Sequence, residues 1–364
     1  MSKKIGILTF HRAINHGAVL QCYALYKTLE KLGYDVKVVD YRQSYIEDIY
    51  KSIRHPFSMN EFKSILSRPR WIPGYLFKVL PQSYKRKRLF NRFNRLYKKL
   101  KYTLTANSAK EIPTNLDTII IGSDQVWANY CTGGMDKVYY GEFPHEQTKI
   151  IGYAISSELN SLKENGSTRL KEVCKNFSAI SFREEDISRY LQETINLKSK
   201  VVLDPTLLLN RKEWDNVINV VHMSKQNDYV LTHFLNSEFE METLDKQLAS
   251  FAKKERCNIV KLEEVARSPE EFILWIKNAR YIITSSFHAT VFSIIYNKKF
   301  LSLRTNNGKD IRYISLLEKL GLSSQLIEYY NINTVDTKYI NYNQANQTLR
   351  KEIEYSILYL TNNL

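Results

Sequence analysis

Residues 281–298, YIITSSFHATVFSIIYNK, constrain the fold more than any other stretch of this 364-residue chain. Tyr281, Ile282 and Ile283 are apolar and β-favouring, so they read as a short strand. A polar corner of Thr284, Ser285 and Ser286 follows, and an apolar helix runs from Ala289 to about Tyr296. A strand that turns into a helix within a few residues belongs to a parallel sheet covered by helices. Such sheets bind ligands at the carboxyl ends of their strands, beside helix N-termini. Phe287 and His288 lie at that junction. Two readings are open. In one, Thr284 or Ser285 caps the helix beside a half-buried histidine. In the other, the corner hydroxyls and His288 form an anion and proton-transfer site.

The same alternation runs through the chain. Residues 3–10 (KKIGILTF) read as a strand and 11–17 (HRAINHG) as a loop. From Ala18, the residues Val19, Leu20, Tyr23, Ala24, Leu29 and Leu32 give a helical apolar stripe. Gly33 closes the helix, and residues 35–40 form the next strand. This opening is Rossmann-like, but it lacks GxGxxG, so dinucleotide binding is not indicated. Asn15, His16 and Gly17 stand where helix amides can meet an anion or a sugar hydroxyl. A turn that only shapes the loop fits the same residues. Further strands end in polar groups: Ser123, Asp124 and Gln125 after 115–121, and Arg183 after 177–182. An arginine there is a fork for carboxylate or phosphate, or a salt-bridge partner for Glu184 or Glu185. The expected fold is α/β, with two Rossmann-like domains facing across a cleft. The division falls at 1–208 and 209–364, and the last helix can pack back on the first domain.

Residues 41–110 break the rhythm and read as an insertion in the first domain. Residues 51–101 carry fifteen Lys or Arg against one acid, Glu61, and so hold nearly all of the net charge of +15. Within them, 83–101 (SYKRKRLFNRFNRLYKKLK) is a basic amphipathic helix. It suits an anionic membrane surface or a solvated face packed on the core. Nucleic acid is not expected, because no nucleic-acid motif accompanies the charge. The apolar runs fall far short of the ~20 residues of a membrane span, and the N-terminus reads as a strand and not a signal peptide. Four scattered cysteines without CxxC suit a reducing compartment. No metal-ligand spacing appears among the seven histidines. The expectation is a cytoplasmic chain with no cofactor or metal, able to sit peripherally on the inner face of the membrane.

Taken in order, the polar strand ends are ILTFHRAINHGAVLQCYAL, IIIGSDQVW, ISFREED, VVLDPTLLL and TSSFHATVFSIIYNK. Together they resemble the polysaccharide pyruvyltransferase family over about residues 4–321. The resemblance implies a GT-B-like fold. It also implies transfer of pyruvate from phosphoenolpyruvate to two hydroxyls of a sugar or lipid-linked glycan, making a cyclic ketal. By position, His288 matches the family's catalytic histidine and Arg183 a donor-binding arginine. Asn15, Gln21, Ser123, Asp124 and Gln125 are expected on the acceptor side, and Ser285 and Ser286 beside the donor. One position departs: members often carry arginine where this chain has Ser286. The donor's anion is then left to Arg304, Lys309 and Arg312, which follow the next strand. The rival readings are a nucleotide-sugar glycosyltransferase of GT-B fold and a glycan-binding module without catalysis.

Overall fold

The structure is a computed structural model that describes residues 2–50, 91–93, 95–224, 227–235, 239–305, 310–334 and 340–364. Eleven strands form two sheets among the described residues. The first holds β1 (Lys4–Leu8), β2 (Asp35–Val38), β3 (Thr118–Ile121), β4 (Lys149–Ile155), β5 (Ala179–Phe182) and β6 (Lys200–Val201), in the order β2-β1-β3-β4-β5-β6. The second holds β7 (Tyr229–His233), β8 (Asn258–Lys261), β9 (Tyr281–Thr284), β10 (Lys299–Leu303) and β11 (Leu326–Ile327), in the order β11-β10-β9-β7-β8. Every pairing is parallel. The central strands β3, β7 and β9 are buried along their whole length. Parallel strands covered on both faces need that continuous apolar run. The chain is thus α/β with two Rossmann-like domains, the GT-B-like arrangement expected from its strand ends.

The two domains share one core. Helix α1 (His16–Lys31) buries Leu20, Tyr23 and Ala24 in a cluster that also contains Trp214, Phe272 and Phe292. Trp214 is fully buried, with its ring 6.1 Å from Tyr23 in one domain and 5.0 Å from Phe292 in the other. Truncating a buried aromatic of this size costs about 3–5 kcal/mol, so this interface is a packed core and not a sliding contact. The final helix α7 (Tyr342–Asn363) runs back to the first domain, where Tyr359 donates to the Gly152 carbonyl (2.8 Å) and Ser356 accepts from the Leu203 amide (3.0 Å). Between them lie α2 (Ser44–Tyr50), α3 (Glu185–Ile195), α4 (Pro269–Asn278), α5 (Phe287–Ile295) and α6 (Ile311–Lys319).

Most of the basic insertion, Lys85–Arg88 included, lies outside the described residues. Its described part shows where the apolar stripe goes. Phe93, Leu96, Tyr97 and Leu100 are buried in the shared core, while Arg95, Lys98 and Lys99 are exposed. The apolar face of this segment is therefore covered by the protein itself. Among the described residues no helix is long and apolar enough to cross a membrane.

Candidate active site

Strand order reverses between β1 and β3 in the first sheet and between β7 and β9 in the second. Loops diverge at such switch points and leave a crevice at the strands' carboxyl ends. Here both crevices open into one interdomain cavity of 390 Å³. Its first-domain wall includes Asn15, Gly17, Asp124 and Gln125; its second-domain wall includes His233, Ser285, Ser286, His288 and Arg312.

The corner after β9 is built differently from the expectation. The cap of α5 is Ser286, neither Thr284 nor Ser285, and the helix starts at Phe287. Extended backbone at Ser286 (φ −96°, ψ 127°) aims its hydroxyl at the Ala289 amide (3.4 Å). Thr284 instead donates to the His233 carbonyl (2.6 Å), and the Ser285 hydroxyl accepts from the Leu235 amide (2.9 Å). These two hydroxyls tie the corner to the end of β7.

Opposite this corner, Asn15 caps α1 by accepting from the Ala18 amide (3.2 Å). Two helix N-termini, one per domain, thus converge on the cavity, and helix N-termini favour anions. Gly17 lies flat against the His288 imidazole. A Cβ there would come within 2.6 Å of Cγ and closer still to Nδ1 and Cε1. Only a residue without a side chain permits this approach.

His288 is 9% exposed, edge-on to Phe287 at 5.1 Å between ring centroids. Its Nε2 faces Asp204 Oδ2 at 3.7 Å, too long for a hydrogen bond, and has no hydrogen-bond partner among the described residues. Asp204 is fully buried. Its Oδ2 receives Arg183 Nη2 at 2.8 Å, and its Oδ1 receives the Thr206 amide at 2.8 Å and the Thr206 hydroxyl at 2.5 Å. Burial pushes the Asp204 carboxyl up, but the charge of Arg183, with His288 and Thr206, outweighs it and holds the carboxyl well below the usual carboxylate range. Arg183 also donates to the Ser123 hydroxyl and lies 4.8 Å over the Phe287 ring. Behind it, burial pushes the Glu184 carboxyl up to about 7, with Arg183 and Ser156 pulling it part of the way back.

His16 is held between Phe93 (4.7 Å) and Phe272 (4.9 Å). Burial, with His233 nearby, pushes its imidazole down to about 3, so His16 is neutral near pH 7. Gln125 presents its Oε1 to the Tyr130 hydroxyl (2.6 Å) and to Arg312 Nη1 (3.1 Å), the latter across the domains. That leaves its Nε2 buried on the cavity wall with no partner among the described residues.

A sequence model of the polysaccharide pyruvyl transferases matches residues 15–307. The chain belongs to the polysaccharide pyruvyl transferase family. No curated protein matches it. Solved structures to which this chain is similar include UDP-N-acetylglucosamine 2-epimerase from Rickettsia bellii, at 12% identity and TM-score 0.47, covering 100% of this chain and 99% of that one. Others are the glycosyltransferase SsfS6 of Streptomyces sp. SF2575 (12%, 0.41, covering 97% and 96%) and MurG of Acinetobacter baumannii (10%, 0.39, covering 100% and 99%).

The cavity brings together His288, Ser285, Ser286, Asn15, Asp124, Gln125 and Arg312. Arg183 stands behind it. Its partner is Asp204 and not Glu184 or Glu185, and it lines a separate gap of 20 Å³ with Phe287 and Arg312. Ser123 is buried beside Arg183. Gln21 is buried below the cavity, donating to Thr9 (2.9 Å), which in turn donates to the Ser123 carbonyl (2.9 Å). Arg304 lies outside the lining, 4.0 Å from Glu328. Lys309 is outside the described residues. Two residues absent from the expected set, His233 and Asp204, line the cavity or face His288, and Gly17, expected only as part of an anion-meeting loop, packs against the His288 ring. Among the described residues no group of His, Cys, Asp and Glu could hold a metal ion.

Proposed function

We propose that the chain moves pyruvate from phosphoenolpyruvate onto two hydroxyls of a sugar, in a bacterial surface polysaccharide or its lipid-linked precursor. The observation that carries this reading is the imidazole of His288, which lines a cavity where two helix N-termini and Arg312 meet and whose buried Nε2 has no hydrogen-bond partner among the described residues. Phosphoenolpyruvate brings a carboxylate and a phosphate, which suit helix amides and a guanidinium. His288 is the acid that protonates C3 of the donor while a sugar hydroxyl adds at C2. The first hydroxyl gives up its proton as it adds, which restores the one that His288 gave to C3. The C2–O bond to phosphate then breaks, the second hydroxyl closes on C2, and its proton leaves on the released phosphate. Asn15, Asp124 and Gln125 present polar groups to the acceptor from the facing wall. Incubation with phosphoenolpyruvate and a panel of p-nitrophenyl hexosides and lipid-linked glycans is expected to release phosphate. No phosphate with any acceptor overturns the reading, and UDP release from a nucleotide sugar favours the glycosyltransferase instead.

Arg312 takes the place of the arginine that Ser286 lacks. A hydrogen bond to a charged partner is worth about 1.5–3 kcal/mol, so Arg312→Met is expected to raise KM for phosphoenolpyruvate roughly 10- to 100-fold, with kcat at saturation within about threefold. An unchanged KM assigns the donor elsewhere.

The exposed lysines and arginines of 91–101, with the apolar stripe turned inward, favour attraction to anionic lipid over insertion. Each basic residue near such a surface adds about 1 kcal/mol. Replacing Lys85, Arg86, Lys87 and Arg88 with glutamate is expected to abolish sedimentation with phosphatidylserine vesicles at low salt. Unchanged sedimentation rules the attraction out.

A further inference from the structure

We propose that Asp204 is a positioning residue, fixing the His288 imidazole across the domain boundary, and that Arg183 acts on the reaction through Asp204. The inference rests on His288 serving as the acid in pyruvyl transfer. The decisive feature is how the two carboxylate oxygens are used. Oδ1 is committed to Thr206 within its own loop. Oδ2 meets Arg183 Nη2 at 2.8 Å and the Ser123 hydroxyl at 3.4 Å, both from the first domain. The same Oδ2 also faces Nε2 of His288, from the second domain, at 3.7 Å.

An Asp–Arg pair that only supported the fold would be complete without that third neighbour. The histidine, conversely, has no other partner for Nε2 among the described residues. Its opposite edge rests on Gly17. The ring is therefore held between a glycine backbone on one side and a carboxylate on the other. Closing 3.7 Å to an ordinary hydrogen bond of about 3.0 Å takes a movement of roughly 0.7 Å, which a proton gained at Nε2 would favour.

Arg183 is placed to maintain this arrangement. It is 6% exposed, outside the lining of the large cavity, and covered by Phe287 at 4.8 Å. It supplies the positive charge that lets a fully buried carboxylate stay ionised beneath the ring. The loop 203–206 thus links Arg183 on one side to His288 on the other through one carboxylate.

The test is a set of variants of the full chain, read by phosphate release from phosphoenolpyruvate with the best p-nitrophenyl hexoside and by thermal unfolding. Asp204→Asn is expected to lower kcat roughly 10- to 100-fold, the size of effect seen when a partner that orients a metal-bound imidazole is lost, with KM for phosphoenolpyruvate within about threefold of wild type. Because that change strands the Arg183 charge, Arg183→Gln combined with Asp204→Asn is made as well. The double variant removes both charges of the Arg183–Asp204 pair and is expected to recover the melting temperature but not kcat. Recovery of both in the double variant makes Asp204 a purely structural counter-ion and overturns the proposal. A second check uses the His288→Ala background, where Asp204→Asn is expected to change kcat less than about threefold. The same 10- to 100-fold loss there also overturns it. His288→Ala with full turnover would instead remove the pyruvyl-transfer reading of His288 on which the proposal stands.

Discussion

His288→Ala is expected to lower turnover roughly 10²- to 10⁴-fold, the usual contribution of a positioned acid or base. The size follows from how the ring is held. It is nine-tenths buried, with Phe287, Gly17 and Asp204 about it, and its Nε2 has no competing partner among the described residues. A ring merely filling space would not leave a buried nitrogen unbonded 3.7 Å from a carboxylate, because an unpaired buried polar atom costs free energy. Loss of the ring opens a void between Gly17 and Asp204, so the variant is also expected to melt lower. His288→Gln keeps more volume and separates the two effects: a variant that melts near wild type yet turns over poorly reports chemistry. Phosphate release from phosphoenolpyruvate with a glycan acceptor is the measurement, and full turnover by either variant removes His288 from the mechanism.

The second large effect is expected at a residue with no side chain. Gly17→Ala places a methyl carbon within 2.6 Å of the His288 ring. Phe287 and Asp204 limit how the ring can retreat, so either the first turn of α1 moves back or the imidazole tips away. A misplacement of about 1 Å at a reacting group can cost 10²-fold, and kcat is expected to fall by about that factor. Alanine is otherwise the better helix residue, by about 1 kcal/mol in a helix interior. Unchanged or higher stability with depressed kcat is therefore the signature of a displaced ring. Wild-type turnover would show that the contact between the two helix ends does not matter to the reaction.

The layered alternation of both domains was legible in the sequence, because parallel strands with helices on both sides must read as apolar runs ending in polar turns. The cavity follows from the same pattern: the strands that flank each switch point are those whose ends carry Asn15, Asp124, Ser285 and His288. Other features were not legible, for local physical reasons. Which hydroxyl of Thr284, Ser285 and Ser286 caps the helix depends on the backbone angle at one residue, and composition is silent about that. Asp204 in Asp-Pro-Thr reads as a turn, and it does bond Thr206 as a turn residue would. Its link to Arg183 arises because β5 and β6 lie side by side, which brings together residues twenty-one positions apart. Periodicity revealed an apolar stripe at 93–100 but could not say what covers it. Burial of that stripe in the core shared by both domains matches, for its described part, the alternative of a face packed on the core.

The return of α7 carries a consequence for how the chain is made. The residues that dock it, Gly152 and Leu203, belong to the first domain, whereas α7 follows the whole second domain in the chain. During translation the first domain therefore lacks part of its packing until the whole second domain has left the ribosome. Its sheet forms early with one flank uncovered, and exposed apolar surface of that kind invites association. Helix α7 acts as a closing seal: order of synthesis makes the two halves mature together, so damage to α7 is felt in the half that was built first.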